Sequence, residues 1–135
     1  SECRVFDCCP IALTLLLVLC VIPYTDAQTE KEFIKKHIRP LLNCNETMKE
    51  INGRGNCKYI NTFILDEISN VRQVCMGDKF HHNNSQCYQS RKKFNIIECK
   101  VLNSSSPSCI YNRVNANKPI KITCDESNKP VHFGC

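Results

Sequence analysis

The first pattern along the chain is an apolar run, Ile11 to Ile22 (IALTLLLVLCVI), twelve residues long. A run of that length is too short to span a bilayer comfortably as a helix. Pro23 follows it, and then Thr25-Asp26-Ala27, with small residues at the −3 and −1 positions of a cleavage point. This order predicts a secretory signal peptide over residues 1–27, cut after Ala27, and a mature domain over 28–135. Beyond it the periodicity becomes helical. Residues 29–38 (TEKEFIKKHI) read as a short helix stopped by Pro40, with Phe33 and His37 four apart on one face. Residues 43–51 give a second helix, with Cys44, Met48 and Ile51 on one stripe and Gly53 beyond its end. Asp66 is expected to cap a third, in which Ile68, Val71 and Cys75 recur at helical spacing. Then the pattern turns to strands. Tyr59 to Leu65, Phe94 to Leu102, Cys109 to Val114 and Pro119 to Cys124 are rich in β-formers, and Pro130-Val131-His132-Phe133 alternates. Helices early and strands late predict an α+β domain on an antiparallel sheet.

Cysteine usage and charge sharpen this picture. Four of the twelve cysteines (Cys3, Cys8, Cys9, Cys20) fall in the leader, and eight remain at gaps of 10 to 18 residues. An even count behind a signal peptide points to four disulfides, in any of 105 formal connectivities. With no CxxC pair present, the spacing argues against a zinc or redox motif. Sequons at Asn45, Asn83 and Asn103 are candidate glycosylation sites suited to the same extracellular compartment. Of 18 Lys and Arg only Arg4 lies in the leader, and of 13 Asp and Glu only Glu2, Asp7 and Asp26, so residues 28–135 keep 17 basic and 10 acidic side chains, a formal +7. That density favours polyanions, whether RNA, DNA, heparin-like glycans or an anionic membrane, and does not choose among them.

The histidines are the next candidates for chemistry, because imidazole exchanges protons near neutral pH. His37 lies on a helix face beside Lys35 and Lys36, whereas His132 lies on the last strand, pointing away from Val131 and Phe133. Lys58 follows Cys57, and period-two geometry puts Lys58, Ile60 and Thr62 on one face. Taken singly, each is as well explained as a solvated side chain. His81-His82 sits in a polar stretch that reads as a surface loop, and Arg91-Lys92-Lys93 as a solvated charge run unless it borders a cleft.

Three blocks in order give these residues a common meaning. Lys36-His37-Ile38, Cys57-Lys58-Tyr59-Ile60-Asn61-Thr62-Phe63 and Pro130-Val131-His132-Phe133 together resemble the ribonuclease A family, over the whole of residues 28–135. The early Phe-Ile-Lys-Lys-His and the late PVHF…Cys are most similar to its amphibian, onconase-like branch. The resemblance implies a V-shaped α+β fold of three short helices on antiparallel sheet, stapled by disulfides. It implies a monomeric enzyme without cofactor or metal that cleaves single-stranded RNA after pyrimidines through a 2′,3′-cyclic phosphate. His37 matches the general base, His132 the general acid and Lys58 the cation that stabilises phosphoryl charge. Lys36, Asn61, Thr62 and Phe133 match substrate-binding positions. The cysteine order matches three family bridges, Cys44–Cys99, Cys57–Cys109 and Cys75–Cys124. Cys87 and Cys135 each lack their usual family partner and are expected to pair with one another. Two further departures stand out. Gly134 replaces an acidic residue that often orients the acid histidine, and Glu32 stands where a basic phosphate-binding residue is common. The runner-up reading is a cationic host-defence or angiogenin-like family member that acts chiefly by binding, at anionic cell surfaces or membranes, with weak catalysis.

Overall fold

The computed structural model describes residues 29–40, 43–77, 86–104 and 109–135. The leader expected over residues 1–27, together with His81, His82 and Asn83, lies outside them. Helix α1 covers residues 29–37, one residue short of expectation, because Ile38 leaves the helix to form a parallel bridge with Ile64. Its buried positions, Glu30, Phe33 and His37, recur at helical spacing and make one face. Helix α2, Cys44–Asn52, opens on Asn43, whose Oδ1 accepts from the Glu46 N–H at 3.2 Å. It closes on Gly53, which adopts the positive φ (55°) that side-chain-bearing residues avoid. Cys44 and Met48 turn inward, as their spacing requires.

The third helical region differs from expectation. Helix α3 is only Ile68–Arg72, continued by a 3₁₀ turn over Gln73–Met76, and its N-cap position is Glu67 rather than Asp66. Asp66 stands one residue earlier, accepting from the Glu67 N–H (2.7 Å) and the Asn70 amide (2.6 Å). It orders the approach to the helix without capping it. The tighter turn ends on Gly77, whose N–H reaches back three residues to the Val74 carbonyl.

Among the described residues, six strands form two antiparallel sheets. The first contains β1 (Ile60–Ile64), β3 (Phe94–Asn103) and β4 (Ile110–Lys118) in the order β1-β3-β4. The second contains β2 (Cys87–Gln89), β5 (Lys121–Cys124) and β6 (Pro130–Phe133) in the order β2-β5-β6. Strand β4 runs four residues past the expected end at Val114. There Asn115, Ala116 and Asn117, poor strand formers, pair with Ile97, Ile96 and Asn95, so the neighbouring strand overrides propensity. One core gathers Phe33, Ile64, Val71, Phe94, Ile96, Ile120 and Ile122 under α1 and α3. A second gathers Met48, Phe63, Ile97 and Tyr111 between α2 and the first sheet.

Four disulfides cross these elements: Cys44–Cys99, Cys57–Cys109, Cys75–Cys124 and Cys87–Cys135. Their sequence separations are 55, 52, 49 and 48 residues. Each bridge therefore starts inside the loop of the one before and ends outside it. In the chain-entropy account a bridge closing a loop of this size stabilises by roughly 2–4 kcal/mol. The Asn45 sequon lies within α2, where the Asn45 Oδ1 accepts from the Tyr111 N–H at 2.9 Å, and Asn103 is the last residue of β3.

Candidate active site

A cleft of about 730 Å³ opens where α1, the start of β1 and β6 meet. Lys36, His37, Lys58, Asn61, Thr62, His132 and Phe133 all line it. Residues drawn from three separated segments thus converge on one space, and each is held there by a recognisable device.

His37 is buried at the end of α1. Its Nδ1 lies 2.7 Å from the Thr62 carbonyl oxygen, so Nδ1 carries the proton and donates it, leaving Nε2 as the free base. The ring is flanked by Phe33 and Phe133, at centroid distances of 5.2 and 5.4 Å. Burial among these rings pushes the His37 pKa down to about 4. The Thr62 hydrogen bond opposes that shift, and the positive charges of Lys58, Lys36 and His132 add to it. At neutral pH the imidazole is uncharged and able to accept a proton.

Lys58 precedes β1 and is fixed at both ends. Its Nζ donates to Asn61 Oδ1 at 2.8 Å, and the Asn61 amide donates onward to the Lys36 carbonyl at 2.8 Å. Asn61 is 2 % exposed, and both ends of its amide are occupied by protein groups. In this arrangement it couples Lys58 to α1. The Lys58 backbone N–H donates to Asn52 Oδ1 (3.0 Å), and its carbonyl accepts from the Tyr111 hydroxyl (2.6 Å). Tyr111 in turn accepts from the Asn52 amide at 3.0 Å, and the Cys57–Cys109 bridge lies one residue upstream. Burial, and then the charge of Lys36, lower the Lys58 pKa.

Asn52 and Tyr111 escaped the sequence reading. Each lies far along the chain from Lys58, and an asparagine ending a helix or a tyrosine in a strand is unremarkable until the fold joins them.

His132 projects from β6 into solvent, with its backbone paired to Thr123 of β5. The strand end is tied down from several sides. Thr123 Oγ1 donates to the Gly134 carbonyl (2.9 Å), Gly134 N–H donates to the Lys121 carbonyl (2.8 Å), and Cys135 is bridged to Cys87. Gly134 has φ 92°, so an acidic residue at this position would sit in strained backbone.

The run Arg91-Lys92-Lys93 does not line this cleft. Lys92 instead pairs with Asp66 at 3.4 Å and lies over the Phe94 ring at 4.7 Å. Among the described residues, no group of three His, Cys, Asp or Glu side chains is placed to hold a metal ion.

Residues 28–134 match the family described as pancreatic ribonuclease. The pancreatic ribonuclease of Myocastor coypus is 38 % identical over 95 residues, covering 67 % of this chain and 74 % of that protein. That of Choloepus hoffmanni is 36 % identical over 95 residues, with the same coverage. Among solved structures, SS-RNase-2 superposes with a TM-score of 0.69 at 31 % identity, covering 79 % of this chain and 93 % of that one. Zebrafish RNase5 gives 0.69 at 28 % identity, covering 80 % and 93 %. With its fold and its sequence in agreement, the chain belongs to the pancreatic ribonuclease family.

Proposed function

We propose that the protein is a secreted endoribonuclease that cleaves single-stranded RNA on the 3′ side of pyrimidines. The observation that carries this reading is the meeting of His37, Lys58 and His132 in one cleft. In the proposed reaction His37 Nε2 takes the proton of the ribose 2′-OH. The freed oxygen attacks the adjacent phosphorus, and the bond from phosphorus to the 5′-oxygen breaks. His132, protonated, gives its proton to that leaving oxygen. Lys58 Nζ balances the charge that builds on the non-bridging oxygens. Water then opens the 2′,3′-cyclic phosphate with the two histidines in exchanged roles, which returns both to their starting states. Each well-placed acid or base contributes about 10²–10⁴-fold, and a positioned cation a few kcal/mol more.

Thr62, whose carbonyl holds His37, is the residue proposed to read the pyrimidine edge through its N–H and hydroxyl, with Phe133 flanking the base. Lys36 reaches the scissile phosphate. The leader over residues 1–27 is proposed to be removed on secretion, with residues 28–135 as the working domain. The C-terminal Gly134-Cys135 pair favours the amphibian-like branch.

The formal +7 of residues 28–135 supports a second reading, action chiefly by binding anionic surfaces. Both are tested by the refolded 28–135 protein acting on RNA dinucleotides with chelator present. Cleavage after pyrimidines through a cyclic phosphate, lost in His37→Ala and His132→Ala, is expected. Folded, correctly bridged protein that cuts nothing would move the weight to the binding reading.

A further inference from the structure

The cleft is lined by four side chains that can carry positive charge, Lys36, His37, Lys58 and His132, and by a single carboxylate among the described residues, that of Glu32. Glu32 lies one helical turn before Lys36 on α1, and its Oε2 is 3.6 Å from Lys36 Nζ. Both side chains are about half exposed, so the pair can open at little cost. A phosphate entering the cleft beside Lys36 meets an anion already on that cation. Further along α1, about 7.5 Å of helix rise from His37, it meets the carboxylate itself.

We propose that Glu32 is a specificity-determining residue, an internal anion that competes with RNA phosphate for Lys36 and disfavours substrates carrying a further phosphate along the α1 wall. It rests on the endoribonuclease reading for the identity of the ligand, but its geometry concerns phosphate alone. Short RNA, or RNA whose end falls at α1, is then favoured over the interior of a long strand. Lys36 serves the scissile phosphate only after exchanging one anion for another.

The test is fluorescence-anisotropy binding of a single-stranded deoxydinucleotide and deoxyhexanucleotide, which lack the 2′-OH and are not consumed. Wild type, Glu32→Gln, Lys36→Gln and the double variant are compared at low salt. Glu126→Gln, an exposed turn residue between β5 and β6, controls for the mere loss of a negative charge. Glu32→Gln is expected to tighten the hexanucleotide by about three- to tenfold and the dinucleotide by less. In the Lys36→Gln background the same change is expected to bring the dinucleotide no more than the Glu126→Gln control does, and to keep only part of its gain on the hexanucleotide, the part owed to the carboxylate's direct repulsion. Equal tightening by Glu126→Gln, or an undiminished gain without Lys36, overturns the proposal. If the coupling appears while the matching ribohexanucleotide stays intact with wild type, the Glu32 assignment stands and the endoribonuclease reading falls.

Discussion

Asn61 illustrates how much one amide can organise. It is buried, it accepts from Lys58 Nζ and it donates to the Lys36 carbonyl, so it ties a flexible cation to the helix that carries His37. Asn61→Ala frees the Lys58 ammonium and leaves the part-buried Lys36 carbonyl without its partner, which costs about 1 kcal/mol of stability. A fall in kcat on RNA dinucleotides of about 10- to 100-fold is expected, larger than any change in KM, if Lys58 acts where charge develops, as proposed. His37 makes a different demand on the fold. Its pKa is about 4 in the native state against an ordinary 6.5, so the unfolded chain binds more protons between those values. The stability gained by keeping it neutral is complete above pH 6.5 and is lost as pH falls through about 4. Thermal unfolding across that window is expected to show a steeper fall in Tm for wild type than for His37→Ala.

At the scale of elements, α1 carries His37, the proposed base, and three of its contacts show how it is seated. Phe33 enters the core, His37 meets the Thr62 carbonyl, and Glu30, nearly buried, pairs with Arg72 of α3. Because Arg72 is 45 % exposed, its charge is screened, and the larger cost of Arg72→Ala is the unpaired Glu30 it leaves behind. A loss of about 1–2 kcal/mol in urea unfolding is expected, partly restored in Glu30→Ala/Arg72→Ala.

The Phe33–His37 spacing, the Cys44–Met48 stripe and the alternation of Pro130 to Phe133 were legible in the sequence, since each depends on a local period. Strand β2 was not, because three residues are too few to show an alternation. Nor was the extension of β4, which its partner strand imposes. The breakdown of α3 into a 3₁₀ turn was hidden too, since Ile68, Val71 and Cys75 satisfy a helical spacing that the backbone only partly follows. At the site, the blocks around His37, Lys58 and His132 marked the residues that line the cleft. The supports of Lys58, Asn52 and Tyr111, carry no local signature.

Across the whole molecule, the charge and the bridges act together. The formal +7 of residues 28–135 makes binding to any polyanion depend on salt, and the bridges keep the cleft-forming segments in register. The staggered bridges also govern what a protease can do. Every peptide bond between Cys44 and Cys135 is spanned by at least one disulfide, so a single cut there leaves one covalent molecule. Residues 28–43 contain no cysteine, and α1 within them is held by contacts alone. A cut at exposed Arg54 is expected to keep its full mass in denaturant until reductant is added, as read by mass spectrometry. A cut engineered just ahead of Cys44 is expected to shed a peptide bearing His37 in denaturant alone. A single nick from Cys44 onward therefore leaves the domain in one covalent piece, whereas a nick ahead of Cys44 severs the short tether of His37.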